Sequence, residues 1–242
     1  PQISGVFSSD NFNHALLPYE NIKLLALEGS SQIDLYIDGF LKNPVLLIKA
    51  ESDDTAIILS DRKMKIDKLK LILEKQDDDF LIKDMLMIKE DAKLRATGTI
   101  STDLLDLSCV LSNLSLEYLP VKFDFAGDTL DGIINMTGTI TGAVSAPSLS
   151  AYVEILDLAY GEKVMGSITG DIKYDETVLI IDRLSWKNQQ REYIIDGKID
   201  RILDQPFLEL KLCTDYGQIS DLFFLVFDEN IVTKPLSVSY YP

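Results

Sequence analysis

Few residues of this 242-residue chain have types and groupings that could do chemistry. The one histidine, His14, sits in Asn11-Phe12-Asn13-His14. A lone imidazole with no partner pattern around it removes most histidine-based catalysis and most transition-metal sites, so His14 reads as a loop residue. The two cysteines, Cys109 and Cys213, are too few and too far apart for a disulfide framework or a zinc site. Cys109 shares its alternation phase with Leu105, Leu107 and Leu111, and so points inward. Cys213 is out of phase with Leu208, Leu210 and Leu212, and so points outward. Side chains on opposite faces do not bridge. The acidic runs Asp53-Asp54 and Asp77-Asp78-Asp79 invite a Ca²⁺ site, but no EF-hand-like spacing with a terminal Glu follows. They are expected to be solvated turns. A glycan-cleaving enzyme on a β-helix would need clustered acidic and basic residues or a bound metal, and the sequence supplies neither. No catalytic residue, metal or cofactor is expected, and the chain does not read as an enzyme.

What these residues are mounted on is set by composition and pattern. With 23 Lys+Arg against 39 Asp+Glu the net charge is −16, yet 46% of residues are apolar and the mean hydropathy is +0.09. A chain both this acidic and this apolar must segregate the two kinds of side chain. The sequence pI near 4.4 disfavours nucleic acid as a partner, because phosphate binding needs a basic footprint. It also disfavours adhesion to anionic headgroups through a polybasic surface. No apolar run approaches the roughly 18 residues of a membrane span; the longest, Leu222 to Phe227, has six. No signal peptide opens the chain. It starts at Pro1 without Met, and is expected to be a piece of something longer.

Period-two alternation dominates. Ile33-Asp34-Leu35-Tyr36-Ile37, Leu69-Lys70-Leu71, Leu105-Asp106-Leu107-Ser108-Cys109, Val121-Lys122-Phe123-Asp124-Phe125 and Leu208-Glu209-Leu210-Lys211-Leu212 each place apolar side chains on one face only. Turn signals separate the strands at Asp53-Asp54, Asp77-Asp78-Asp79, Gly127-Asp128, Tyr160-Gly161 and Asp175-Glu176. Glycines inside strands, as in Met136-Thr137-Gly138 and Ile168-Thr169-Gly170, mark a bend, a bulge or a close approach. Helix is scarce. Two short amphipathic segments, Asn113 to Leu119 and Gln218 to Phe223, are the candidates.

The chain repeats itself weakly. Ile37-Asp38-Gly39 followed by Pro44 matches Ile140-Thr141-Gly142 followed by Pro147, at an offset of 103 residues (44 to 147). Gly98-Thr99-Ile100-Ser101 with Leu105-Asp106-Leu107 resembles Gly197-Lys198-Ile199-Asp200 with Leu208-Glu209-Leu210, at a glycine offset of 99 (98 to 197). A long-period repeat of amphipathic strands indicates stacked sheet units that cannot bury their apolar faces alone. The expected divisions are 1–32 as the end of a preceding unit, 33–130 and 131–230 as two units, and 231–242 as the start of a further strand. All belong to one continuous sheet.

The phrase Asp131-Gly132-Ile133-Ile134-Asn135-Met136-Thr137-Gly138-Thr139-Ile140-Thr141-Gly142, followed by Ala146-Pro147-Ser148-Leu149, resembles repeats of the TamB/AsmA-like family. Gly166 to Tyr174, Leu179-Ile180-Ile181 and Ile195 to Ile199 continue the likeness, and Ser112 to Leu119 is similar to the segment that closes such a unit. The likeness runs from about Leu105 to Leu222. It implies an all-β, elongated, curved repeat sheet, a U-shaped open groove with one or two short helices. It also implies a periplasmic region of an inner-membrane-anchored protein of a diderm bacterium. The implied role is bridge-type phospholipid transport toward the outer membrane, in support of outer-membrane biogenesis. The alternative is a scaffold for outer-membrane protein insertion or secretion without lipid conduction. The implied partners are phospholipid acyl chains and a BamA/TamA-like barrel, with the anchor and the barrel-contacting region outside this chain.

From periodicity alone a closed sandwich is the commoner way to cover a one-sided sheet. The repeat and the resemblance reverse that preference. An open groove lined by Leu, Ile and Phe would hold acyl chains, each buried methylene contributing about 0.8 kcal/mol. The expected concave face comprises Leu105, Leu107, Val121, Phe123, Phe125, Ile134, Met136, Ile140, Leu208 and Leu210, which share one phase. Trp186 and the tyrosines are expected to pack against the sheet or at its rim.

Overall fold

The computed structural model describes residues 2–13, 25–59, 62–77, 79–118, 124–125, 128–175, 177–201 and 207–217. The protein is all-β, as the alternation predicts. The strands are β1 (Gln2–Asn13), β2 (Leu25–Phe40), β3 (Asn43–Leu59), β4 (Arg62–Ile66), β5 (Lys68–Gln76), β6 (Asp79–Lys89), β7 (Ala92–Ile100) and β8 (Leu104–Ser115). They continue as β9 (Asp124–Phe125), β10 (Asp128–Ala143), β11 (Ala146–Tyr160), β12 (Lys163–Asp175), β13 (Val178–Asn188), β14 (Arg191–Asp200) and β15 (Phe207–Cys213). They form a 15-stranded sheet in sequence order, with β4 paired only to β3 and β9 only to β10. Tight turns such as Leu41-Lys42 and Gly161-Glu162 contribute to that order by folding a strand back antiparallel on the one before it.

The chain divides into two compact units. One comprises Pro1–Ser112 with Thr139–Pro147, the other Asn113–Gly138 with Ser148–Pro242.

In the first unit β3 changes partner midway. Leu46–Ser52 pair with β5, and Thr55–Leu59 pair with β4. Asp53-Asp54, expected as a turn, therefore lies inside β3 at the handover. The strand continues because Thr55, Ala56 and Ile57 beyond it are buried. The hydroxyls buried at this junction are satisfied in series. Thr55 Oγ1 donates to Ser52 Oγ at 2.7 Å, and Ser52 Oγ donates to the Ser30 carbonyl at 2.5 Å. The other acidic run does mark a turn, with Asp77 at positive φ between β5 and β6.

The segment Asn113 to Leu119 is not the expected short helix. β8 runs to Ser115, and only Leu116–Tyr118 form a 3-10 turn. Asn113 adopts positive φ, and its N–H donates to Asn135 Oδ1 at 2.9 Å, which holds it in the strand. A seven-residue helix has too few hydrogen bonds to offset its nucleation. The second helical candidate, Gln218 to Phe223, lies outside the described residues, as does His14.

In the second unit the core is a cluster of Leu116, Leu158, Met165, Trp186, Tyr193 and Leu212, with Ile134, Ile155, Ile168 and Ile195 among the half-buried residues packed on it. Trp186 and Tyr193 stack at 4.6 Å between ring centroids, and the indole N–H donates to the Met165 carbonyl at 2.6 Å. A buried indole needs such a partner for its one polar group.

β-Bulges recur along both units, and the repeat emerges in them. The β6–β7 register shifts between Ile82 and Met85, and the β13–β14 register shifts between Ile181 and Leu184. The offset is 99 residues at both ends of the bulge. Arg183 sits in the second bulge at positive φ, its N–H donating to Asp196 Oδ1 at 3.1 Å. Next to each bulge the same triplet of neighbours recurs: Ile82 opposite Gly98 opposite Leu107, and Ile181 opposite Gly197 opposite Leu210. A Cβ on Gly98 would fall 2.8 Å from the Leu107 Cα, and one on Gly197 would fall 2.9 Å from the Leu210 Cα. Both glycines adopt φ near +140°, which side chains rarely tolerate. Gly98 and Gly197 are thus close approaches beside bulges.

Candidate functional site

Residues directly opposite one another on antiparallel strands share a face. The registers of the first unit therefore assemble four rows on one face. The first is Gly5, Ile37, Leu46, Lys75, Phe80, Ile100 and Leu105, and the second is Phe7, Leu35, Ile48, Leu73, Ile82, Gly98 and Leu107. The third is Ser9, Ile33, Ala50, Leu71, Met85, Ala96 and Cys109, and the fourth Ser52, Leu69, Met87, Leu94 and Leu111. Lys75 is the only charged residue in them. The intervening positions carry Asp34, Lys49, Glu51, Lys70, Glu74, Asp84, Arg95 and Asp106 among apolar residues such as Tyr36, Leu47, Leu81, Leu86 and Val110, and there the ion pairs Lys70–Asp84 (3.7 Å) and Lys83–Glu74 form.

The second unit builds the same pattern. Leu149, Tyr174, Leu179, Ile199 and Leu208 form one row, and Ala151, Ile172, Ile181, Gly197 and Leu210 the next. Leu184, Ile195 and Leu212 follow, and then Ile155, Ile168, Trp186 and Tyr193. None of these is charged. Lys198 and Glu209, paired at 3.3 Å, lie on the opposite face.

Most large side chains in these rows are half-buried, and Phe7 on β1 is 60% exposed. The buried members are mostly small in the first unit (Ala96, Cys109) and bulky in the second (Trp186, Tyr193). Burial pushes the Cys109 thiol pKa up, since a thiolate there would be desolvated. Cys109 and Cys213 are both free, and the register sets Cys213 opposite Ile194, out of phase with the apolar rows.

Of the ten residues expected on the concave face, Leu105 and Leu107 lie in the first unit's first two rows, and Leu208 and Leu210 in the equivalent two rows of the second. All four are half-buried. Ile134, Met136 and Ile140 alternate along β10 and are half-buried too, with Ile134 packed on the Trp186 cluster. Phe125 lies in β9 opposite Asp128; its side chain, and Val121 and Phe123 entirely, lie outside the described residues. Sequence reasoning missed Ile48, Leu73 and Ile82, which complete the row of Leu107. It also missed Lys75 as a member of the apolar phase. Strand register was the needed signal, because bulges at Ile72/Leu73 and Ile82/Met85 shift the phase within β5–β6 and β6–β7.

Among the described residues no group of three or more His, Cys, Asp or Glu side chains is placed to hold a metal ion. No helix among them is long and apolar enough to cross a membrane. Comparison with protein-family models, with curated proteins and with solved structures finds no match to this chain.

Proposed function

We propose that the apolar face seats the acyl chains of phospholipids, and that the chain is a periplasmic segment of a TamB/AsmA-like lipid bridge between inner and outer membrane. The observation that carries this reading is the row from Phe7 to Leu107. Seven strands contribute to it without a single polar side chain, and its large members other than Ile82 keep part of their surface exposed. A methylene chain needs apolar contact and no directed polar groups, and this face has that character. Each methylene removed from water contributes about 0.8 kcal/mol, so a chain in contact with several residues is held without any specific hydrogen bond. The charged side chains of the opposite face and the net charge of −16 keep the protein in water and off anionic bilayer surfaces. The resemblance over Leu105 to Leu222 supplies the periplasmic setting and the direction of the proposal.

Mass spectrometry of the purified chain tests it. Phospholipid is expected to co-purify and to be displaced by a fluorescent fatty acyl probe. A lipid-free chain that also fails to take up the probe would refute the reading, and binding of an outer-membrane barrel by such a chain would favour the scaffold alternative.

A further inference from the structure

Lys75 stands out in the apolar face. It is the sole charge in the four rows of the first unit, and it is a cation in a chain of net charge −16. Its row adjoins the turn at Asp77, and the hydrogen bond that its amine makes there is exposed to water. Nζ donates to the Asp77 main-chain carbonyl and lies 5.7 Å from the centre of the Phe80 ring. The Asp77 carboxylate is engaged instead by Asn43 Nδ2. No carboxylate pairs with Lys75 among the described residues, whereas Lys63, Lys70, Lys83, Lys89 and Lys198 each have one. At the equivalent place in the second unit, 99 residues on, stands Tyr174.

We propose that Lys75 seats the phosphate of an anionic phospholipid whose acyl chain runs across the strands over Phe80, Ile100 and Leu105. The proposal rests on the acyl-binding reading and adds the headgroup. Charge complementarity selects this occupant. On the other face the carboxylates outnumber the cations, but here a negative head meets an ammonium that no carboxylate of the described residues pairs, beside an apolar row. The strand spacing gives the chain about 14 Å of contact over the three strands beyond Lys75. The carbonyl and the ring hold the amine without neutralising it, so a phosphate oxygen can accept a charge-assisted hydrogen bond from its remaining protons.

The test uses the whole chain with two probes carrying the same fluorescent acyl chain, phosphatidylglycerol and the neutral diacylglycerol. Lys75→Met keeps the stem against Phe80 and removes the charge. It is expected to weaken phosphatidylglycerol about fivefold, the effect of one screened lysine at a lipid headgroup, and to leave diacylglycerol unchanged. Lys75→Arg is expected to restore the preference. Equal weakening of both probes by Lys75→Met, or of neither, overturns the headgroup seat while leaving acyl binding intact. Failure of the unaltered chain to bind either probe sinks the acyl reading and this proposal with it.

Discussion

The two units use one strand pattern to different ends. Met87 opposite Leu94 in the first unit occupies the place of Trp186 opposite Tyr193 in the second, 99 residues on in each case. Met87 and Leu94 are half-buried, whereas Trp186 is 2% exposed and Tyr193 fully buried. Likewise the buried Cys109 in the first unit stands where Leu212 does in the second, each in the third row from the turns. Alternation therefore decides which side chains share a face, and side-chain volume decides whether that face is filled. Two aromatic rings turn one end of the second unit's rows into a core. Aliphatic and small residues at the same positions leave the first unit's rows with exposed apolar surface.

The sharpest way to break this contrast is Trp186→Ala. It removes the stack and the hydrogen bond to Met165, and should cost about 3–5 kcal/mol, read as a lowered denaturation midpoint. Met87→Ala, at the equivalent half-buried place, should cost less than half as much. Equal losses would show that the first unit is as tightly cored as the second.

Gly98→Ala and Gly197→Ala test the equivalence of the repeats. Each sets a Cβ against a leucine Cα at a φ that disfavours side chains, so each should cost about 2–3 kcal/mol. A large loss in one unit and none in the other would separate the two rows that the registers equate.

Leu107→Asp probes the half-exposed face. A carboxylate there can draw in water, so the cost should be about 1–2 kcal/mol while uptake of an acyl probe is lost. Leu212→Asp, in the filled unit, should cost roughly twice that or more, because the buried charge has no solvent to reach. Circular dichroism melting beside acyl-chain crosslinking distinguishes the two. Leu107→Asp that stays folded and still crosslinks lipid would count against the apolar face as the binding surface.

The smallest expected effect is kinetic. Burial raises the Cys109 pKa, so at any pH near 8 it holds less thiolate than an exposed cysteine and gains reactivity only as pH rises further. Cys213, half-buried and out of phase with the apolar rows, should react with a thiol reagent on the order of tenfold faster. Equal rates would mean that the rows around Cys109 open readily.

Much of the fold is legible in the residues alone. Alternation in Ile33–Ile37, Leu69–Leu71, Leu105–Cys109 and Leu208–Leu212 identifies strands and faces, because side chains in a strand project to alternate sides whatever the strand pairs with. The glycine offsets locate equivalent positions for the same reason: a backbone that must approach its neighbour closely leaves a glycine behind. Two local readings fail where pairing overrides composition. Asp53-Asp54 carries a turn signature, yet burial of Thr55 to Ile57 and pairing with β4 draw the strand through it. Asn113 to Leu119 has helical spacing, but the Asn113 N–H is satisfied by Asn135 and the segment stays extended to Ser115.

Composition and period by themselves determined an all-β chain with one apolar face and the charges gathered on the other, since both properties are local and additive along the sequence. Only the tertiary structure decided which residues complete each row. Bulges between Ile72 and Leu73, between Ile82 and Met85, and between Ile181 and Leu184 each slip the register, and a slip is settled by the partner strand. The same holds for Lys75. Its place in an apolar row, and its lack of a carboxylate partner among the described residues, follow from where Leu46, Phe80, Asp77 and Asn43 come to lie, and these are brought together by pairing across strands up to 34 residues apart.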